Sequence, residues 1–172
     1  MKLQKQTRFA MLLAISVVCS ILESFLPFLN GMIPGLKLGL ANFVVLVVLE
    51  LYGWKEAFSL SFLRIILVAL LRTGLFNVTF FFSLFGAVLS ILFMIVASKT
   101  KLFSIIGVSI LGSIGHSVGQ MLAAIFFLGT NMLTYLPILI FFSIVTGIFI
   151  GILSQKFLEY SSSILKEQQN ML

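Results

Sequence analysis

The third apolar segment of this sequence carries two arginines whose spacing could bind an anion. Positions i, i+3, i+7 and i+11 of a helix share one face, and here they are Ser61, Arg64, Val68 and Arg72. The two guanidinium groups would lie about 12 Å apart along the helix axis. A charge inside an apolar segment costs roughly 2.5–3.5 kcal/mol at the bilayer centre, so such residues normally face a bundle interior or a wet cavity. The stripe therefore predicts anion coordination.

Each of the two arginines also has a second interpretation. Arg64 could pair with Glu23 or with carbonyl groups at helix ends, and so fasten the bundle without touching a ligand. Arg72 could instead extend its guanidinium to the lipid headgroups. The sequence leaves both alternatives open.

Further polar residues fall near the same ends of the predicted helices as Arg72. Those within apolar segments are Glu23, Asn42 and Asn77. Those in the connecting segments include Lys37, in the stretch IPGLKLGLANF, together with Asn30, Asn131 and Thr134. Because polar groups are expensive inside a membrane, we expect this half of the bundle to hold a recess for a ligand.

The fifth apolar segment contains the stretch GSIGHSVGQMLAA. Its small residues recur at a spacing that lets another helix approach closely; they are Gly112, Gly115, Gly119 and Ala123. His116 and Gln120 are one turn apart and could point into one cavity. For His116, a hydrogen bond between helices and a contact with a ligand remain equally open.

Several kinds of chemistry lack the residues they require. The chain has one histidine, one cysteine and no aspartate, and its five glutamates are scattered. Magnesium needs clustered carboxylates and zinc needs several nitrogen or sulfur ligands. No phosphate-binding loop or nucleophile elbow occurs either. We therefore expect no enzymatic activity, no metal site and no cofactor.

The composition of the chain is that of an integral membrane protein. Hydrophobic residues make up 60% and charged residues 9%, and the mean hydropathy is +1.22, whereas soluble domains have roughly 45–50% apolar and about 25% charged residues. We predict an all-α fold, a single membrane domain over residues 1–172. The predicted spans are about 9–29, 38–52, 56–73, 75–98, 102–128 and 133–157, followed by a polar tail at 160–172.

The distribution of basic residues predicts the orientation of these spans. With the amino terminus in the cytoplasm, eight Lys and Arg residues lie on the cytoplasmic side, while Lys37 and Arg72 lie outside and Arg64 lies within a span. Both termini are then cytoplasmic in a multi-pass protein of the cell membrane. Attraction to anionic lipid headgroups accounts for the net charge of +6 without a nucleic-acid partner.

The first apolar segment offers a surface for a partner protein. Ala10 and Ala14 have the small-xxx-small spacing that permits close helix contact. At 100° per residue, Glu23 lies about 160° from the middle of this pair, so one helix could present alanines to a partner and a carboxylate to the bundle interior. Ordinary packing within the bundle is the alternative.

Taken together, these features resemble the substrate-binding (S) components of energy-coupling factor (ECF) transporters. More specifically, the stretches ESFLPF, PGLKLGLANFVVL, LRIILVALLRTGLF and GHSVGQMLAA resemble the Gx transporter family, whose members are often labelled heptaprenyl diphosphate synthase component I. The likeness runs from about Thr7 to Leu153, and PGLKLGLAN is its most specific part.

The resemblance implies a function in import. An S component captures a vitamin-like molecule from outside and topples in the membrane when coupled to a transmembrane subunit and two ATPase subunits. The alanine pair would be the coupling contact. The residues expected to bind the small-molecule ligand are Glu23, Lys37, Asn42, Arg64, Arg72, Asn77, His116 and Gln120. The ligand would be anionic and partly apolar, such as a flavin, a quinone precursor or an isoprenoid. A non-catalytic membrane subunit of a prenyl diphosphate synthase is the alternative function.

Overall fold

The computed structural model describes residues 2–25 and 40–170, and these residues form helices without a strand. The helices are α1 (Lys2–Ser24), α2 (Leu40–Tyr52), α3 (Trp54–Val68), α4 (Val78–Thr100), α5 (Ile105–Leu128) and α6 (Leu136–Asn170). A π-helical turn, Ala69–Thr73, extends α3, and a 3₁₀ turn, Thr130–Tyr135, precedes α6. The all-α prediction is thus confirmed for the described part of the chain.

The predicted count of six spans is not confirmed, because four segments of the described residues are long and apolar enough to cross a membrane. They are Lys5–Glu23, Val78–Thr100, Ile105–Leu128 and Thr130–Ser162. With 13 and 15 residues, α2 and α3 rise only about 20 and 22 Å, less than the roughly 30 Å of a hydrocarbon core. In addition, α6 continues as a helix through the stretch expected to be a polar tail.

Glycines and a serine set the helix boundaries. Gly53 separates α2 from α3 with a φ of 99°, and Gly129 ends α5 with a φ of 97°. Side chains rarely adopt such angles, so glycine permits both sharp breaks. Ser104 caps α5, because its hydroxyl accepts a hydrogen bond from the Gly107 N–H at 3.3 Å. These boundaries fix which residues of α3 and α5 lie at mid-depth.

The short helix α2 forms the centre of the bundle. It contacts α1, α3, α4, α5 and α6, and its residues 44–49 are all buried. Many large apolar side chains of the other helices are exposed, as expected for surfaces that face lipid. The interior of this protein is therefore built around α2, and polar groups next to it are far from both water and headgroups.

Small residues bring α4, α5 and α6 into close contact. A Cβ atom at Gly115 would lie 2.9 Å from the Leu89 carbonyl oxygen of α4, and one at Gly119 would overlap the Phe85 carbonyl oxygen. On the other side of α5, a Cβ atom at Gly147 of α6 would lie 2.7 Å from the Ile110 Cα atom. The small-residue pattern of the fifth segment thus serves helix packing, as one of its interpretations predicted.

Candidate functional site

A buried charge pair lies between α1 and α3. Arg64 is 5% exposed and Glu23 is 6% exposed. Glu23 interacts electrostatically with the Arg64 guanidinium, and the Cys19 thiol, one turn before Glu23, lies close enough to act on it too. An electrostatic interaction of Arg64 with Glu23, one of the alternatives that the sequence left open, is therefore present, and burial in the bundle makes each of these charges costly without the other.

The pairing leaves part of the Arg64 guanidinium unused. Among the described residues, its Nη1 atom has no hydrogen-bond partner. A polar group without a partner in a membrane interior costs several kcal/mol, and a guanidinium offers its donors in a fork that suits carboxylate and phosphate oxygens. Asn42, at the start of α2, is also buried. Arg64 thus has free capacity for an anion.

Arg72 differs from Arg64 in burial, and the helix changes its winding between them. In the π-helical turn Ala69–Thr73 the Gly74 N–H donates to the Ala69 carbonyl oxygen at 2.7 Å, an i to i+5 hydrogen bond. Arg72 is exposed, with its Cζ atom 4.6 Å from the ring centroid of Phe25, whereas Arg64 is buried. Coordination of one anion by both arginines stays a prediction.

Asn77, another predicted site residue, does not lie in the buried site. Asn77 is exposed and sits at the N-cap position of α4, where its carbonyl oxygen accepts from the Phe80 N–H at 2.9 Å. Its side chain makes no capping hydrogen bond. Lys37 lies outside the described residues. Asn77 thus begins a helix at the end of the bundle that also holds Arg72.

His116 and Gln120 come together on α5, against Gly86 of α4. A Cβ atom at Gly86 would lie 2.9 Å from the Gln120 Cγ atom and 2.9 Å from the His116 Cε1 atom. Gln120 is 2% exposed and His116 is half-buried. The predicted convergence of these two side chains is therefore observed, and the missing side chain of Gly86 makes room for both.

The two polar clusters lie at a similar depth of the bundle. A shallow apolar groove between α3 and α4 is lined by Ser61, Ile65 and Ala87, among others. Arg64 belongs to the same helical turn as Ser61 and Ile65, and Gly86, against which Gln120 packs, adjoins Ala87 in sequence. Arg64 and Gln120 therefore lie at a similar depth, on two helices that both pack against α4.

The outward face of α1 carries the alanine pair. Ala10 and Ala14 are exposed, whereas Glu23 on the same helix is buried. The angular separation expected from the sequence is thus observed. A partner helix, or lipid, can contact both alanines directly.

Sequence reasoning missed two residues near these sites. Cys19 carried a signal, because it precedes Glu23 by one helical turn. Gly86 carried none, since its role depends on which helix packs against α5.

A cluster of basic residues surrounds Trp54 at the other end of the bundle. The Trp54 ring lies 5.6 Å from the Lys55 Nζ atom and 5.7 Å from the Lys99 Nζ atom. Basic residues from distant parts of the chain thus meet at this end.

The fold and the site together define a class. It is a multi-pass, all-helical membrane protein with two buried charged residues, Glu23 and Arg64, and a buried amide, that of Gln120. Comparison with known families gives a narrower identification. The chain belongs to the family described as heptaprenyl diphosphate synthase component I, whose model matches residues 12–157. Neither a curated protein sequence nor a solved structure matches the chain. The family resemblance seen in the sequence is thereby confirmed.

Proposed function

We propose that this protein is the substrate-binding S component of an ECF-type importer. The observation that carries the proposal is the division of α1 into two faces. Ala10 and Ala14 are exposed toward a partner, and Glu23 is buried beside Arg64. One helix then links a docking surface to a ligand site, as expected of a binding subunit that takes its energy from other chains.

The ligand in this proposal is a small anion with an apolar part. Arg64 supplies a cationic donor with free capacity. Other residues of the same helical turn line a mainly apolar groove between α3 and α4. Gln120 and His116 add polar contacts at a similar depth. Lys37, Asn42, Arg72 and Asn77 stay in the proposal as contacts nearer the outer surface. The chain has no aspartate for magnesium chemistry, so its role is binding rather than catalysis.

The proposed protein spans the cell membrane six times as a single domain, with both termini in the cytoplasm. The basic end of the bundle supports this orientation. Lys55 and Lys99 flank the Trp54 ring, and the Lys5 Nζ atom lies 2.6 Å from a Glu56 carboxylate oxygen. Basic residues and tryptophan favour the cytoplasmic interface. In this arrangement α3 and its π-helical turn together complete one span.

The family description favours a second candidate function. It names a component of a heptaprenyl diphosphate synthase. On this alternative the protein is a non-catalytic membrane subunit that associates with a soluble prenyl synthase. Its apolar helices would then hold the synthase at the membrane into which long prenyl products partition.

Purification from the native membrane separates the two functions. The S-component proposal predicts co-elution with an ECF transmembrane coupling subunit and two ATPase subunits. Co-elution with a prenyl synthase, and with no ATPase, would establish the alternative. Native mass spectrometry of the same sample also detects any small molecule that remains bound.

Two substitutions test whether Arg64 serves ligand binding and the alanine face serves contact with the partner protein. We expect Arg64→Ala to weaken ligand binding by at least tenfold, since it removes the cationic donor. We expect Ala14→Trp to stop uptake with binding intact, because the large ring blocks close helix contact. Val145→Trp, on the exposed face of α6, is the control for added bulk. Equal losses of binding in both test variants would contradict the proposal.

A further inference from the structure

The amide of Gln120 is the most unusual polar group in the described interior. Gln120 is 2% exposed, and neither its Nε2 nor its Oε1 atom has a hydrogen-bond partner among the described residues. A buried amide without hydrogen bonds costs several kcal/mol. A serine in a membrane helix can bond a carbonyl of its own helix, as Ser143 does with Leu139. The Gln120 amide makes no such bond.

The position of this amide is set by close packing. The aliphatic part of Gln120 lies against Gly86, so closely that a Cβ atom there would be 2.9 Å from Cγ. Gly119, the preceding residue, is in direct contact with the α4 backbone at Phe85. The side chain therefore cannot retract toward α4. Its donor and its acceptor are held side by side in the bundle interior.

We propose, on the basis of the binding function above, that Gln120 recognises the edge of a planar heterocycle while Arg64 binds an anionic group of the same molecule. An amide offers one acceptor and two donors. Only a ligand with an adjacent donor and acceptor, as in a lactam or an imide ring, satisfies both of its atoms. A prenyl diphosphate carries acceptors alone and would leave Oε1 unpaired. The substrate class is therefore an anionic lactam or imide heterocycle.

The spacing of the two clusters agrees with one ligand of moderate size. Arg64 and Gln120 lie at a similar depth on α3 and α5, two helices that both pack against α4. Axes of packed helices are about 8–10 Å apart, and α3 and α5 pack on α4 and on α2, so a ligand that contacts both residues has to be elongated. A planar ring joined to a phosphate or carboxylate by a short chain has this shape.

A matched pair of probes tests the inference. Flavin mononucleotide has an imide edge and one phosphate, whereas farnesyl monophosphate has one phosphate and an apolar chain without that edge. We expect the detergent-solubilised protein to bind the flavin at least tenfold more tightly in calorimetric titrations. Gln120→Met should reduce flavin binding at least tenfold and leave farnesyl monophosphate binding unchanged. Ser109→Ala, a buried polar change on the same helix, should alter neither.

A second variant shows whether a loss of binding comes from the missing amide or from misfolding. Gln120→Glu keeps the shape of the side chain and replaces its donor, so it should also reduce flavin binding if size-exclusion chromatography shows an intact protein. Tighter binding of farnesyl monophosphate, flavin binding that is insensitive to both variants, or no flavin binding would each overturn the heterocycle assignment. The S-component proposal is judged separately, by the partners that co-elute with the protein.

Discussion

At the scale of single residues, the buried charges determine both stability and binding. Glu23 compensates Arg64 only in part, since the Nη1 atom has no partner among the described residues. Replacing one member of a buried pair leaves the other charge uncompensated in a region of low dielectric constant. This is why the pair is a stability determinant even if its purpose is to bind a ligand.

Removing one of the two buried charges should therefore lower the free energy of unfolding more than removing an exposed charge. We expect Glu23→Gln to lower the free energy of unfolding by about 3–5 kcal/mol. The matched control is Glu50→Gln, which changes an exposed carboxylate that accepts a 3.4 Å hydrogen bond from Ser98. It should cost less than about 1 kcal/mol. Denaturant unfolding in detergent micelles, followed by tryptophan fluorescence, measures both.

The double variant separates charge compensation from simple packing. Glu23→Gln combined with Arg64→Gln removes both charges, so it should recover at least half of the stability lost in Glu23→Gln alone. Additive losses would show that Glu23 and Arg64 do not compensate each other.

The depth of polar residues could be predicted from the sequence, but their exact neighbours could not. Glu23, Asn42, Arg64 and Gln120 were expected inside the bundle because lipid exposure of such groups is expensive, and all four are buried. Arg72 was expected to share a face with Arg64, and that pattern assumes 3.6 residues per turn throughout. No simple residue signal marks the π-helical turn that carries Arg72 and departs from this winding.

At the scale of helices, glycine determines how closely α4 and α5 approach. The sequence predicted the approach from the spacing of glycines on α5. It did not predict the partner helix, although α4 also carries small residues four positions apart, Ser83 with Ala87 and Gly86 with Ser90. Ser117 and Ser143 form a hydrogen bond on the opposite side of α5, toward α6. Small and polar residues thus serve both contacts of α5.

The close contact between α4 and α5 predicts that an added methyl group affects stability differently at Gly119 and at Gly107. Gly119→Ala places a Cβ atom against the Phe85 carbonyl oxygen, which is backbone and cannot move without displacing α4. Gly107→Ala instead meets the Phe103 side chain, at 3.2 Å. Because overpacking typically costs about 1–3 kcal/mol, we expect Gly119→Ala to be destabilising by that amount.

At Gly107, which faces a side chain rather than backbone, the loss of stability should be smaller. The Phe103 ring is exposed and can rotate away from the Cδ1 contact at 3.3 Å, and the Cβ contact at 3.2 Å needs a shift of only a few tenths of an ångström in the segment before α5. Gly107→Ala should therefore cost less than about 1 kcal/mol, and it gains some helix propensity. Unfolding midpoints of the two variants in the same detergent provide the comparison. If Gly107→Ala proved as destabilising as Gly119→Ala, the close approach of α4 would not be the cause.

At the scale of the whole molecule, the two ends of the bundle differ in chemistry. One end brings together Lys5, Glu56, Trp54 and Lys99, which come from α1, α3 and α4. The opposite end holds Arg72, stacked on Phe25. The sequence predicted this asymmetry from the count of basic residues alone, since folding each helix back on the previous one places alternate connections at the same end. Among the described residues, four helices are long and apolar enough to span a membrane, and α2 and α3 are shorter.

The orientation of the bundle is tested by cysteine labelling from one side of the membrane. The chain has a single cysteine, so Cys19→Ser gives a background without a reactive thiol. In that background Lys55→Cys reports on the basic end, and Asn131→Cys, in the exposed 3₁₀ turn after α5, reports on the other end. A membrane-impermeant maleimide should label position 131 in intact cells and position 55 only after permeabilisation. Labelling of position 55 in intact cells would place the Trp54 end outside, and the Ala10 and Ala14 face would then be directed away from any cytoplasmic ATPase module.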